Sequence, residues 1–211
     1  KHGIKFRGWK DSIPDTDKSS VDEYFHLFEY PRAFEGHNVA THWMSLKDRG
    51  ADIPAFCDAV SIAGELCRQF KSPKLFTSMP YEAPLPYGYH LDAVQFGQYL
   101  RRIATSRGVR HVCDTVTSVK KSEDGAIASL QTKENGEISA DFFIDCSGFN
   151  SVLIDKALAE PFTDWSDYLL CDSAVALQLP YDGAPSEFRP YTTSTALEAG
   201  WVWEIDLFTR R

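Results

Sequence analysis

Between Gly88 and Glu160 the apolar residues change period twice, from helical to alternating to continuous. After Asp92, which can cap a helix, Phe96, Tyr99, Leu100 and Ile103 recur at the 3.6-residue spacing of one helical face. Arg101, Arg102 and Arg107 crowd the negative end of that helix and Gly108 stops it. A short strand, VRHV, follows. TVTSVKK and AIASLQT then alternate on either side of the turn signal SEDG, and ENG marks a second turn. The run FFID in ADFFIDCSG is apolar without alternation, the pattern of a strand buried on both faces of a parallel sheet, whereas alternating strands belong to an exposed meander.

After FFID the chain passes through Cys146, Ser147 and Gly148, and residues 151–159 can form a helix ended by Pro161. A strand that ends in small residues and opens into a helix is where α/β proteins offer backbone amides to a phosphate, although packing alone can also demand small residues there. The order of elements decides more than the single turn. Helix, strand, three-stranded meander and buried strand make up the second half of a flavin- or nicotinamide-binding domain in which the meander replaces the crossover helix. The glycine-rich GxGxxG turn that opens such a domain is not in this sequence.

Composition narrows the alternatives. At 211 residues, with 43% hydrophobic and 25% charged residues, the chain can build a core and does not have the composition of a disordered protein. No run approaches the roughly 18 apolar residues of a membrane span, and the first ten residues lack the apolar centre of a signal peptide, so a cytoplasmic location is expected. The net charge of −8, without segregated basic residues, argues against nucleic acid. The five cysteines follow no zinc-type spacing and read as buried, reduced thiols, so no metal site is expected.

Residues 1–87 read as irregular: KHGIKFRGW alternates like a strand, DSIPDTDKSSVDE is a polar link, and YFHLFEY resumes an aromatic run. If YFHLF is extended, Tyr24, His26 and Phe28 share one face. Trp201 and Trp203 likewise share a face of the last strand. The chain opens on lysine and closes within an apparent strand, which reads as an internal fragment.

These segments together resemble the flavin-dependent tryptophan halogenases. The resemblance runs in order through KHGIKFRGW, FHLF (25–28), THW (41–43), YHLDA (89–93), ADFFIDCSGFNSVLI (140–154), SDYLLCDSAVA (166–176), PYTTS (190–194) and AGWVWEI (199–205). It implies an α/β fold, a fragment of a glutathione-reductase-like FAD-binding domain of the flavin monooxygenase type with a mixed-sheet substrate region. Residues 88–160 would form the second half of the FAD-binding region, and residues 1–87 and 161–211 the substrate and tunnel region. Segments bearing the family's glycine turn and its catalytic glutamate would lie outside the chain.

The implied chemistry is halogenation of tryptophan or a related indole. Reduced FAD, delivered by a separate flavin reductase, reacts with oxygen and chloride or bromide, and hypohalous acid travels through a tunnel to a lysine beside the indole. That lysine aligns with Lys1. Strand alternation places Lys1, Gly3 and Lys5 on one face and so leaves Lys5 as a competitor. The resemblance further places His26 and Phe28 around the substrate ring, Trp201 and Trp203 along the tunnel, and Val116, Ser147 and Gly148 at the cofactor. One departure is visible: Asp206 stands where the family's GWxWxIP pattern ends in proline, which should free the backbone and add a charge near the passage. Two other readings stay open, a flavin-dependent aromatic monooxygenase and a non-catalytic binding module, and a homodimer is compatible with the halogenase reading as with these.

Overall fold

The computed structural model describes residues 1–9, 22–31, 33–182 and 188–211; most of the polar link 11–23 lies outside them. In chain order the elements are β1 (Gly3–Arg7), β2 (Glu23–Leu27), α1 (Val39–Asp48), α2 (Phe56–Val60), α3 (Ala63–Arg68), α4 (Ala93–Ser106), β3 (Val116–Lys121), β4 (Ile127–Thr132), β5 (Gly136–Ser139), β6 (Thr192–Leu197) and β7 (Gly200–Glu204). They divide into two units, Lys1–Ala93 with Ala174–Arg211, and Val94–Ser173.

The first unit is built on a mixed sheet in the order β2-β1-β6-β7, in which β1 and β6 run parallel and the other pairs antiparallel. Its register sorts the side chains. Ile4 faces His26 and Thr192, and Phe6 faces Tyr24 and Ser194, which in turn faces Trp203; these share one side. Lys5 with Phe25 and Thr193, and Arg7 with Glu23 and Thr195, share the other. Gly3 lies tight against β2, since a Cβ there would overlap the His26 carbonyl oxygen. Behind β2, α2 and α3 bury Ala63 and Cys67, and Phe25 meets Tyr191 edge to face at 5.2 Å.

Helix α1 corrects the irregular reading of residues 1–87. Its apolar spacing is weak, but Asn38 caps it, Oδ1 accepting from the Ala40 and Thr41 amides at 2.9 and 3.4 Å, and Lys47 occupies its last turn. THW therefore lies on a helix, with Trp43 donating to the Pro54 carbonyl at 2.9 Å and packed on Phe56.

In the second unit α4 and the meander β3-β4-β5 form where the sequence periods place them. Gly108 ends α4 with a φ of +91°. Both meander turns are closed by side chains: Asp124 accepts from Ala126 N, and Asp114 accepts from the amides of Thr115, Glu134 and Asn135. Two elements differ from expectation. Residues 109–112 and the FFID run form no strand and pair with none among the described residues, and Phe142 and Ile144 are 79% and 76% exposed. A parallel strand exists only through its neighbours, so an unpartnered run keeps the apolar pattern without the ladder. Residues 151–159 form turns rather than a helix. Ser151 takes a φ of +43°, and Lys156 N and Leu158 N donate five residues back, to Ser151 O and Leu153 O, while Asp145 Oδ2 accepts from Leu153 N and Ile154 N and Ser147 Oγ from Val152 N. The thiols also divide: Cys67 is buried and Cys57 partly so, but Cys113, Cys146 and Cys171 are exposed.

Candidate active site

The two lysines that sequence alternation could not separate lie on opposite sides of the first unit's sheet. Lys5, inside β1, places Nζ 2.5 Å from Glu23 Oε2 and over the Phe25 ring. Lys1 precedes β1, and its main chain is bonded both ways to Gly88, with Lys1 N donating to Gly88 O at 2.6 Å and Gly88 N donating to Lys1 O at 2.9 Å. This link carries the Lys1 side chain to the other side, where Nζ donates to Thr192 Oγ1 at 3.0 Å and stands 5.7 Å from the centre of the Phe28 ring. Gly88 is what allows the three groups to meet: a Cβ there would lie 3.1 Å from Phe28 Cε2 and 3.6 Å from Lys1 Cγ and Cε. Among the described residues no carboxylate pairs with Lys1, and burial lowers its ammonium pKa from the ordinary value.

His26 shares this face. Ile4 separates it from Thr192 in one row across three strands, and its side chain is exposed. The next row holds Tyr24, Phe6, Ser194 and Trp203, with Tyr24 stacked on Phe6 at 5.1 Å. Trp201 continues it beside Trp9, at 6.2 Å between ring centres, and Trp9 Nε1 donates to Ser194 O at 3.1 Å. Lys1, His26, Phe28, Trp201 and Trp203 thus belong to one unit, with Trp201 and Trp203 43% and 46% exposed.

Two further residues close the site from behind, and the sequence reading gave neither this role. His90 lies two residues beyond Gly88; Nε2 is 3.1 Å from Thr192 Oγ1 and Nδ1 is 3.0 Å from the Asp206 carbonyl oxygen. Its only sequence signal is its place in YHLDA. Asp206 adds a charge, and that charge is paired within the fold: its carboxylate accepts from Arg189 Nε at 2.8 Å, a terminal Arg189 nitrogen at 2.6 Å and the Arg189 amide at 3.1 Å. Burial and the Lys1 cation push the His90 imidazole down to about 4. A histidine held neutral in the fold and free to charge when unfolded makes the unfolded chain the better proton binder between these values. This site therefore contributes stability at neutral pH that is lost as pH falls from about 6.5 towards 4, by roughly 1–3 kcal/mol. Chemical denaturation of wild type and His90→Gln across that window will show it as a difference in acid slope.

Val116, Ser147 and Gly148 belong to the second unit. Gly148 has a φ of +63° and open space where a Cβ would stand, which fits close approach of its backbone to a ribose or pyrophosphate. Val116 opens β3 beside a register shift and is partly exposed. Ser147 fits less well as an anion cradle, because both its amide and its hydroxyl donate to Asp145 Oδ1, at 3.0 and 2.6 Å. Those bonds and the Leu153 and Ile154 amides hold Asp145 well below the ordinary carboxylate range. A groove of 610 Å³ along α4, lined by Leu100, Arg101, Val109, Arg110 and His111 among others, touches none of these residues. Among the described residues no cluster of His, Cys, Asp and Glu could hold a metal, and no helix is long and apolar enough to cross a membrane.

The tryptophan halogenase family model matches residues 1–211. The chain belongs to this family. It is 46% identical to the 7-chloro-L-tryptophan 6-halogenase KtzR of Kutzneria sp. (strain 744), over all of this chain and 42% of that protein. Among solved structures, the tryptophan halogenase from Shewanella frigidimarina superposes with a TM-score of 0.86 at 34% identity, and the tryptophan C-6 flavin-dependent halogenase Tar14 with 0.84 at 35%. This chain is covered completely in both, against 39% and 41% of those chains. The chain thus spans about two-fifths of the length of these halogenases, and its α/β fold with a mixed sheet is that of the corresponding segment.

Proposed function

We propose that the protein carrying these residues is a flavin-dependent halogenase that places chloride or bromide on tryptophan or a related indole, with Lys1 meeting the halogenating agent at the substrate. The observation that carries this reading is the state of Lys1: unpaired by any described carboxylate, partly withdrawn from water, and held against Phe28 on the sheet face that also bears His26. FAD, delivered reduced by a separate reductase, supplies with oxygen and halide the oxidised halogen as hypohalous acid. Gly148 and the Val116 backbone are the groups that would hold the cofactor in this reading. Lys1 Nζ donates a hydrogen bond to the hypohalous oxygen and so polarises the oxygen–halogen bond. The indole carbon bonds to the halogen as that bond breaks, and the displaced ring proton leaves with the oxygen as water. His26 and Phe28 bracket the ring, where aromatic contact is worth roughly 0.5–1.5 kcal/mol beyond burial, enough to orient an indole. Trp201 and Trp203 form the wall that keeps the substrate from the cofactor while a small acid passes.

Halide dependence tests this. With reduced FAD, oxygen, tryptophan and no halide, the full protein should leave tryptophan unmodified and release hydrogen peroxide; with chloride or bromide it should give a haloindole, read by mass spectrometry. An oxygenated tryptophan in the halide-free mixture would replace this reading with the aromatic monooxygenase. A full protein that takes up no FAD and makes no product would replace it with a binding module.

A further inference from the structure

We propose that Thr192 and His90 are positioning residues for Lys1: Thr192 commits its hydroxyl proton to His90 Nε2 and turns its oxygen lone pairs towards Lys1 Nζ, which aims the lysine across the Phe28 ring. The assignment of hydrogens starts from the far end. The Asp206 carbonyl can only accept, so the His90 Nδ1 facing it at 3.0 Å carries the proton. In the neutral imidazole Nε2 is then a lone pair, and the group facing it at 3.1 Å is the Thr192 hydroxyl, which must donate. With that proton spent, Thr192 Oγ1 can only accept from Lys1 Nζ, 3.0 Å away. Each bond fixes the direction of the next, and the chain of three has one consistent arrangement.

Both ends of the chain are held. Thr192 is 1% exposed and opens β6 opposite Ile4, so its hydroxyl has neither solvent nor freedom to turn elsewhere. The carbonyl belongs to Asp206, whose carboxylate is clamped by Arg189 with three hydrogen bonds. Removal of the Thr192 oxygen would therefore leave Lys1 in place by its main-chain bonds to Gly88 but release the direction of its amine.

This inference rests on the reading of Lys1 as the site lysine, and its test separates the two. The ¹⁵N shifts of His90 in the unmodified full protein should show Nδ1 protonated and Nε2 bare. The opposite tautomer, or a charged ring at neutral pH, would overturn the proposal without recourse to any variant or to activity. In steady-state halogenation, Thr192→Val should lower kcat by about 20-fold with KM for tryptophan within about twofold, and Thr192→Ser should recover to within about threefold of wild type. Equal kcat in wild type and Thr192→Val overturns the aiming role, and so does equal damage by valine and serine. A wild-type protein that shows the expected tautomer yet makes no haloindole overturns the halogenase reading instead.

Discussion

Replacing Lys1 by alanine in the full protein lowers haloindole formation by about a hundredfold or more while oxidation of reduced FAD by oxygen continues at the wild-type rate. In the proposed role the lysine acts at the substrate, so its loss should strand the oxidised halogen without slowing the step that generates it. Product measured by mass spectrometry and oxygen uptake measured in parallel check both halves. Lys5→Met is the informative comparison and should keep activity within about threefold. Glu23, left by Lys5, retains Arg7 Nε at 2.7 Å, and Lys5 lies across the sheet from Phe28 and Thr192. Loss of oxygen uptake together with product in Lys1→Ala would place the lysine at the flavin step and refute its role at the indole.

Asp206→Ala should cost about 3 kcal/mol of folding stability, the scale expected when one partner of a buried ion pair is removed. The Asp206 side chain is 5% exposed and holds the Arg189 guanidinium, itself 19% exposed, whose other acidic neighbour, Glu204, is 3.4 Å away. The alanine variant leaves the largely buried cation with Glu204 as its one described acidic neighbour and frees the carbonyl that orients His90. Urea denaturation measures the cost, and its pH dependence identifies the source. Burial alone would raise the Asp206 pKa, but the Arg189 bonds and charge outweigh it and hold it lowered. The pair therefore contributes stability that is present above pH of about 4 and lost as pH falls through the lower folded value. The acid limb of the variant should be flatter than that of wild type, and an unchanged limb would mean that the pair contributes nothing in solution.

Helix α4, the meander and strands β1, β2 and β7 were legible because a period needs only local spacing. Capping can be read locally too: Asn38, Lys47 and Gly50 mark α1, although Val39 and Thr41 weaken its helical pattern. FFID shows the limit of such reading. Its apolar composition identifies a run suited to burial, but pairing requires a neighbour that the run does not encode. Residues 151–159 show another, because their composition does not reveal the left-handed φ of Ser151 or the five-residue reach of the Lys156 and Leu158 hydrogen bonds.

By itself the sequence determined the family, through ordered segments spanning the whole chain, and with it the candidate residues Lys1, His26, Phe28, Trp201, Trp203, Val116, Ser147 and Gly148. It also determined that Tyr24 and His26 share a face, since two residues of one strand keep that relation whatever surrounds them. Only the tertiary structure placed Lys1 and Lys5 on opposite sides of the sheet, because Lys1 lies before the first paired residue of β1 and its direction comes from bonds to Gly88, 87 positions away. The same holds for His90 between Thr192 and Asp206, and for the charge of Asp206, cancelled by Arg189. Spacing along the chain carries the parity of a strand and the stripe of a helix. Which charge is paired and which is left at the site depends on groups that meet only after folding, where short-range hydrogen bonds and burial rather than sequence distance set the energy.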